Sequence, residues 1–273
     1  MKQYHDLLKD VLKNGSERID RTGVGTKAVF GRQLRFKMSD GFPAITTKKL
    51  FLQGVKGELL WMLEGSSDLK DLHKYGVHFW DNNANADYWK PHAKFEGDLG
   101  RIYGVQWRSW RRPDGKTIDQ LKEIVERIKT NPSDRRLLVT AWNPGEIDQM
   151  CLPPCHIFFQ FFVADNKLSV MMYQRSADLF LGVPFDIALY AILLNMVAQV
   201  TRLVADELII CFGDTHIYLN HIEQVKEQLS RKPYKLPKLW LNPEIKDIDE
   251  FTMEDIKLID YKSYPSIKAE MAV

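Results

Sequence analysis

The feature that most constrains the fold is an almost unbroken apolar segment, "DIALYAILLNMVAQV", at residues 186–200. A helix formed by this segment would be apolar on nearly every side, so other elements must enclose it. Asn195 and Gln199 interrupt the segment, which is too short to span a bilayer. We therefore predict a central core helix. The segment begins with an acid, Asp186, whose carboxylate is costly to bury without a partner or a proton.

Helices and strands follow one another along the rest of the chain without regular alternation. Apolar spacing predicts helices at 1–15, 54–65 and 117–131. Alternation and apolar runs predict strands at 27–36 and 135–144, a hairpin over 156–176 that turns at 164–167, and a strand followed by a helix at 207–230. Residues 81–100 are predicted to be a loop. This mixture predicts an α+β fold with a largely covered sheet. No repeat or linker divides the sequence, which predicts a single domain over residues 1–273.

The charge balance argues against two large classes of partner. The chain has 38 basic and 36 acidic residues, for a net charge of +2. This balance does not favour a nucleic-acid or membrane surface, although a local basic cluster could still hold a phosphate. The first 15 residues form a polar amphipathic pattern rather than a signal peptide. Three cysteines give an odd number with no disulfide framework, so we expect a cytoplasmic protein.

The segment "CLPPCH" contains the strongest candidate for a nucleophile. Pro153 and Pro154 restrict the backbone before Cys155 and remove two N–H donors, which presents one side chain rigidly. A lone cysteine beside a strand is more often a small core residue, and we interpret Cys151 and Cys211 in that way. Other residues of the chain favour a reactive role for Cys155.

Arginines at the ends of predicted elements are the first of these residues. The guanidinium group matches phosphate oxygens with two parallel hydrogen bonds, and a guanidinium near Cys155 would also favour its thiolate. Each arginine alone could be a solvated surface charge. Together with Gly23, Gly25 and Ser176 they indicate a phosphate site, and they are Arg21, Arg135, Arg136 and Arg175.

Two further motifs place polar groups in strand-like and helical segments. His216 and Tyr218 in "GDTHIY" lie two residues apart, which suits two hydrogen bonds to a sugar hydroxyl; a core histidine is an equally good interpretation of the spacing. Glu58 lies within the apolar "VKGELLWML". It is either part of an exposed helical face or a half-buried proton shuttle with a raised pKa.

The sequence resembles the thymidylate synthase family almost from end to end. The matching segments, in family order and spacing, are "DRTGVGT", "FPAITTKK", "GELLWMLEG", "GDLGRIYGVQWRSW", "DQLKEIVERIKTNPSDRRLLVTAWNP", "LPPCH", "YQRSADLFLGVPF", "GDTHIYLNH" and "IKAEMAV". The resemblance implies an α+β fold with a large twisted mixed sheet covered by helices, and an obligate homodimer formed through a face of that sheet. It also implies a pyrimidine nucleoside monophosphate substrate and 5,10-methylenetetrahydrofolate as co-substrate.

The resemblance also implies a role for each matching residue. Cys155 would attack C6 of the pyrimidine, which makes C5 a nucleophile toward the folate methylene carbon, and Glu58 and Tyr103 would transfer protons. The implied nucleotide contacts are Arg21, Arg175 and Ser176 at the phosphate, Arg135 and Arg136 at the phosphate of the partner subunit, and His216 and Tyr218 at the 3′-hydroxyl. The implied folate contacts are Lys48, Trp80, Asp178, Gly182 and Val273. No metal site is implied.

Asp186 departs from the family pattern. The family's "PFNIASY", whose Asn reads the uracil edge, is "PFDIALY" here. An ionised Asp186 would set an acceptor against uracil O4, whereas it could accept from cytosine N4–H and share a proton with N3. The resemblance therefore points to the deoxycytidylate (dCMP) hydroxymethylase and methylase branch, with the substrate as the partner of Asp186. The alternatives are an ordinary thymidylate synthase that converts dUMP to dTMP, and a protonated Asp186 with no role.

A second departure bears on the product. Where the family has a second Trp two residues after Asp81, this chain has Asn83, in the segment 82–97. Water at this position favours hydroxymethylation of C5, which is the interpretation taken here. Methyl transfer remains the alternative, because Trp80 is retained and Trp89 is a candidate to replace the missing ring.

Two other classes fit the sequence less well. Pro154-Cys155 also occurs in cytosine-5 DNA methyltransferases, which flip a base out of the duplex. The near-neutral charge and the absence of a dinucleotide-type glycine motif after a strand argue against a DNA substrate. A non-catalytic RNA-binding protein is disfavoured because Cys155, Arg175, His216 and Glu58 are all present.

Overall fold

The computed structural model describes residues 1–19 and 23–270. The helices are α1 (Lys2–Asn14), α2 (Leu52–Glu64), α3 (Leu69–His73), α4 (Asp81–Ala84), α5 (Tyr103–Arg108), α6 (Gln120–Thr130), α7 (Gly182–Val200) and α8 (Ile222–Ser230). The strands are β1 (Ser16–Arg18), β2 (Thr26–Lys37), β3 (Trp110–Arg111), β4 (Thr117–Ile118), β5 (Leu138–Thr140), β6 (His156–Ala164), β7 (Lys167–Asp178), β8 (Val204–Tyr218), β9 (Lys238–Leu241) and β10 (Ile256–Ile259).

The main sheet has six strands in the order β1-β2-β8-β7-β6-β5. Its neighbouring strands are antiparallel except for β7 and β8, which are parallel because α7 connects them. The remaining strands form two small hairpins, β3-β4 and β9-β10. The predicted α+β class with a large mixed sheet is confirmed.

Helix α7 packs against β7 and β8 and lies at the centre of the core. It begins at Gly182, four residues before the apolar segment, so its 19 residues are long and apolar enough to cross a membrane, contrary to the expectation from the segment alone. However, 83% of its most apolar window is buried inside the protein. The apolar surface of α7 is therefore buried against the sheet and the helices around it.

The two faces of the sheet differ in burial. Along β7, Leu168, Val170 and Met172 are buried on the face that α7 covers. The intervening side chains, such as Met171 and Tyr173, point to the other face and are only partly buried. This alternation follows from the two-residue period of a strand.

Local boundaries differ from the predictions where tertiary contacts override apolar spacing. The strand expected over 135–144 pairs only at β5, and the helix expected from 117 begins at Gln120, because Asp119 accepts a 2.9 Å hydrogen bond from Lys122 N. The loop expected over 81–100 was wrong in part, since it contains α4 and a 3₁₀ turn at Lys90–His92. Helix α2 ends where predicted, because Gly65 adopts φ +68°.

Candidate active site

The register of the sheet brings the polar residues of distant segments to one end. His156 at the start of β6 pairs with Gln174 on β7, and Asp178 on β7 pairs with His216 on β8. Cys155 directly precedes β6 and therefore lies beside Arg175, whose backbone N donates to Cys155 O at 2.8 Å. Residues that are distant in sequence become neighbours because β6 begins where β7 and β8 end.

The loop that carries Cys155 is held by Arg175. Its Nε and Nη2 donate to the carbonyl oxygens of Pro154 and Pro153, each at 2.8 Å. The Cys155 backbone N donates to the hydroxyl oxygen of Tyr103 at 2.9 Å. Prolines cannot donate, so their carbonyls are the groups by which this loop can be anchored. The arrangement fixes where the half-buried Cys155 thiol is presented.

Tyr103 belongs to a stacked group of buried rings. Its backbone has φ +28°, an unfavourable value for a tyrosine, and its ring stacks on His156 with centroids 4.3 Å apart. His156 Nδ1 lies 2.8 Å from the hydroxyl of Tyr190 on α7. Burial lowers the pKa of His156 to about 3, so this imidazole is neutral at any physiological pH. Tyr103 is therefore positioned by packing, and burial raises its pKa well above the usual value.

Glu58 is a buried acid with a single indole partner. Helix α2 places it among apolar side chains, and Trp80 Nε1 donates to its Oε1 at 2.6 Å. Burial raises the pKa of Glu58 to about 8, an effect that the Trp80 donor reduces and the charge of Asp186 increases. A carboxyl group in this state can both give and accept a proton near neutral pH.

Asp186 lies in the second turn of α7 and has a protein partner. Gln174 Nε2 donates to its Oδ2 at 2.8 Å and also to the Ser176 carbonyl at 3.1 Å. Burial raises the pKa of Asp186 to about 7, against the lowering effect of the Gln174 donor. The expectation that the substrate alone would be its partner was incomplete. Within the described chain, Gln174 is the only group that hydrogen-bonds to this carboxyl, so Oδ1 is not engaged.

A match to a known family accords with this arrangement. The family model described as thymidylate synthase matches residues 2–273. The chain belongs to the thymidylate synthase family. Thymidylate synthases transfer a one-carbon group from methylenetetrahydrofolate to C5 of a pyrimidine nucleotide, and the family is typically dimeric.

The residues expected to contact the sugar, His216 and Tyr218, lie on β8, where His216 contacts both Tyr218 and the carboxylate of Asp214. His216 Nδ1 lies 3.0 Å from Asp214 Oδ1, and its ring meets Tyr218 edge-on with centroids 5.2 Å apart. Arg18 donates to Asp214 Oδ2 at 2.7 Å. Hydrogen bonding to His216 lowers the pKa of Asp214. The Asp214 carboxylate thus orients the imidazole of His216 through Nδ1.

The residues expected at folate divide into two groups. Asp178 accepts from Phe180 N at 2.9 Å, and a Cβ on Gly182 would lie 3.8 Å from both Asp178 Cβ and Asp186 Oδ2. Gly182 therefore lies close to both Asp178 and Asp186. Lys48 instead points inward: it donates to the Phe180 carbonyl and lies over the Phe180 ring, and burial lowers its pKa to about 8. It would have to leave this position to meet a glutamate tail.

Arg135 and Arg136 lie far from the Cys155 of their own chain. Leu138 pairs with Gln160, and extending that register places Arg136 opposite residue 162. Residue 162 is seven residues away from Cys155 along β6. At a rise of about 3.3 Å per residue, this separation is about 23 Å. The Arg136 side chain is 83% exposed. No arginine side chain spans that distance, so these two residues do not join the site of their own subunit.

Two expected site residues, Arg21 and Val273, lie outside the described residues. The tail up to Glu270 is described, and the Glu270 carbonyl lies 2.7 Å from Nε2 of the buried His221. Trp89, the candidate replacement ring, is buried and donates to the Asp98 carbonyl at 2.6 Å. The Trp89 indole is thus engaged with Asp98, just after the 82–97 segment.

Sequence reasoning missed Gln174, His156, Tyr190 and Asp214, the residues that position the expected ones. Gln174 and Asp214 lie within the matching segments "YQRS" and "GDTH", so their sequence position was available. The partner of Gln174 was not, because its contact with Asp186 crosses from β7 to α7, whereas Asp214 contacts His216 within β8.

Proposed function

We propose that this chain transfers the one-carbon unit of 5,10-methylenetetrahydrofolate to C5 of dCMP through a covalent adduct on Cys155. The observation that carries the proposal is the buried carboxyl of Asp186, oriented by Gln174, where the family pattern has an amide. A single catalytic domain over residues 1–273 is part of this proposal.

Asp186 favours cytosine for a geometric reason. Gln174 Nε2 fixes Oδ2 as an acceptor, and a carboxylate oxygen can accept a second hydrogen bond. Cytosine presents an N4–H donor and an N3 acceptor, so it can give one hydrogen bond to Asp186 and share a proton at N3. A pKa of about 7 makes that shared proton available at neutral pH.

The chain's own residues account for the covalent step. The Cys155 sulfur bonds to C6 while the C5–C6 double bond opens, and the electron pair moves into the ring toward N3, beside Asp186. C5 would then bond to the folate methylene carbon, and loss of the C5 proton would expel tetrahydrofolate and leave an exocyclic methylene group on the ring. Cys155 would leave C6 when a nucleophile adds to that group. Glu58 and its neighbour Trp80 supply a carboxyl with a pKa of about 8 for proton transfers in the site. Bound folate supplies the methylene carbon.

We propose hydroxymethyl-dCMP as the product, formed when water adds to the exocyclic methylene group after tetrahydrofolate has left unoxidised. Asn83, a half-buried carboxamide in α4, stands where the family has an indole. The Trp89 indole donates to the Asp98 carbonyl, which does not support the alternative that Trp89 replaces the missing ring. Methyl transfer, in which folate gives a hydride and leaves as dihydrofolate, is the alternative product.

We propose that the active unit is a homodimer in the cytoplasm. The open face of the sheet carries Phe162, which is 67% exposed, and the stacked rings of Phe158 and Tyr173. An apolar face of this kind marks an interface. The distance of Arg136 from its own Cys155 supports a role at the partner's phosphate. Cys151 and Cys211 are free thiols, which supports a reducing compartment.

An ordinary thymidylate synthase acting on dUMP is the second candidate. Because the pKa of Asp186 is raised to about 7, part of the population is protonated, and a carboxyl O–H could donate to uracil O4. The protonated state predominates below about pH 7. Turnover of dUMP would therefore fall as pH rises through 7, whereas turnover of dCMP would not show this fall.

The deciding experiment offers dCMP, dUMP and CMP to the enzyme with methylenetetrahydrofolate. Mass spectrometry of the nucleotide distinguishes hydroxymethyl from methyl products, and the formation of dihydrofolate is followed by absorbance. Hydroxymethyl-dCMP without dihydrofolate supports the proposal. Conversion of dUMP to dTMP in preference to any dCMP product would replace it with the second candidate.

A further inference from the structure

We propose that His73, His78 and Asp81 form a binding site for a divalent transition-metal ion of the zinc class. His73 Nε2 lies 2.8 Å from Asp81 Oδ1, and His78 Nδ1 lies 3.4 Å from Asp81 Oδ2. One ligand atom from each residue lies within 4.8 Å of the other two. No metal site was expected from the sequence. Four residues separate His73 from His78 and two separate His78 from Asp81, and the three residues form a cluster only because the chain turns between α3 and α4.

The donor set matches the chemistry of Zn²⁺, Cu²⁺ and Ni²⁺ rather than that of Mg²⁺ or Ca²⁺. Two imidazoles and one carboxylate are ligands that zinc binds at about 2.0–2.2 Å. Tetrahedral bonds of that length place ligand atoms about 3.3 Å apart. The Asp81 distances of 2.8 Å and 3.4 Å bracket this value, so small side-chain movements suffice. Three protein ligands leave a fourth position for water.

The two imidazoles are already close together. Their ring centroids are 4.3 Å apart with planes tilted by 33°, and their side chains are 35% and 63% exposed. The partial exposure gives the ion a path of entry.

The cluster flanks Trp80, which connects it to the catalytic site. Asp81 N donates to the His78 carbonyl at 3.2 Å, and the turn between them carries Phe79 and Trp80. Phe79 meets Phe185, the neighbour of Asp186, edge-on with centroids 5.4 Å apart. A metal ion bound by both ends of this turn would hold the indole that donates to Glu58. The inferred role is to stabilise this turn, independently of which nucleotide is used.

Zn²⁺ binding to the full-length protein, without an affinity tag, tests the proposal. Titration against a chromogenic chelator should show one Zn²⁺ per chain, and His78→Ala should weaken binding by at least about 100-fold, more than the loss of an outer-shell partner. His92→Ala is the matched control, because His92 stacks on Trp89 outside the cluster and should leave binding unchanged. Repeating the titration in Cys155→Ala removes a competing thiol.

Two further measurements separate binding at this site from binding elsewhere. Bound Cu²⁺ should show hyperfine coupling to two nitrogen ligands in its EPR spectrum, reduced to one in His78→Ala. Zn²⁺ should raise the Tm of the wild type and of His92→Ala, but not that of His78→Ala. The proposal is overturned if His78→Ala, folded by circular dichroism, binds Zn²⁺ as tightly as the wild type, or if no saturable site is found.

Discussion

Trp80 Nε1 donates a 2.6 Å hydrogen bond to Glu58 Oε1, and both side chains are buried. The indole is a donor only, so it favours the ionised carboxylate, while burial favours the protonated acid. Burial is the larger effect, and the pKa of Glu58 is raised to about 8. The pair therefore holds a carboxyl group that keeps its proton at neutral pH.

Glu58→Gln should change how the free energy of unfolding depends on pH. Glu58 binds a proton in the folded chain that it releases in the unfolded chain between pH 4.5 and about 8. Its contribution to stability is therefore present below pH 4.5 and is lost as pH rises toward 8, with a slope of up to about 1.4 kcal/mol per pH unit. Glu58→Gln should remove that part of the slope in urea unfolding measured from pH 5 to 8.

The surface variant Glu17→Gln controls for the loss of one carboxyl group, since Glu17 is exposed in β1. A Glu58→Gln profile parallel to that of the wild type would contradict the assignment of Glu58 as a buried, protonated acid.

Cys155→Ala should lower turnover by about a thousand-fold or more, because no other group replaces the bond from sulfur to C6. Nucleotide binding should remain measurable by calorimetry, since the phosphate contacts are unchanged. Cys151→Ala is the matched control. Burial raises the pKa of Cys151 to about 12, so that thiol is not a nucleophile. Loss of turnover in Cys151→Ala, with normal turnover in Cys155→Ala, would reverse the assignment.

Mixing Arg136→Ala with Cys155→Ala should restore activity that neither variant has alone. Arg136 lies about 23 Å along the sheet from its own Cys155. If it serves the partner's phosphate, hybrid dimers contain one complete site, and random exchange should recover about a quarter of the wild-type activity per chain. Subunit exchange is checked by native mass spectrometry. Demonstrated hybrids that remain inactive would exclude a shared site.

Asp186→Asn should change the ratio of kcat/KM for dCMP to that for dUMP. Removing one partner of a buried, hydrogen-bonded charge typically costs about 2–5 kcal/mol, or roughly 30-fold to several thousand-fold. We expect that loss in dCMP turnover, with dUMP turnover maintained or gained. Asp206→Asn, at a partly exposed position of β8, is the control for the same chemical change. If the wild type prefers dUMP, and if Asp186→Asn leaves the ratio of the two kcat/KM values unchanged, the enzyme is specific for uracil and not for cytosine.

The sequence by itself determined the elements and the chemistry of the candidate residues. Apolar content alone requires α7 to be enclosed, and alternation predicts the hairpin of β6 and β7, because both patterns depend on local periods of 3.6 and 2 residues. "LPPCH", "YQRS" and "GDTH" likewise identified the family, because their residue types are set by the reaction.

Only the tertiary structure decided which of those residues meet. The pairing of β7 with both β6 and β8 joins Cys155 to Arg175 and Asp178 to His216, and it separates Arg136 from its own site. The tertiary structure also sets three other features: the hydrogen bond from Gln174 to Asp186, the inward direction of Lys48 and the cluster around Asp81. Strand register and side-chain burial are set by contacts between distant segments, and no local pattern in the sequence contains them.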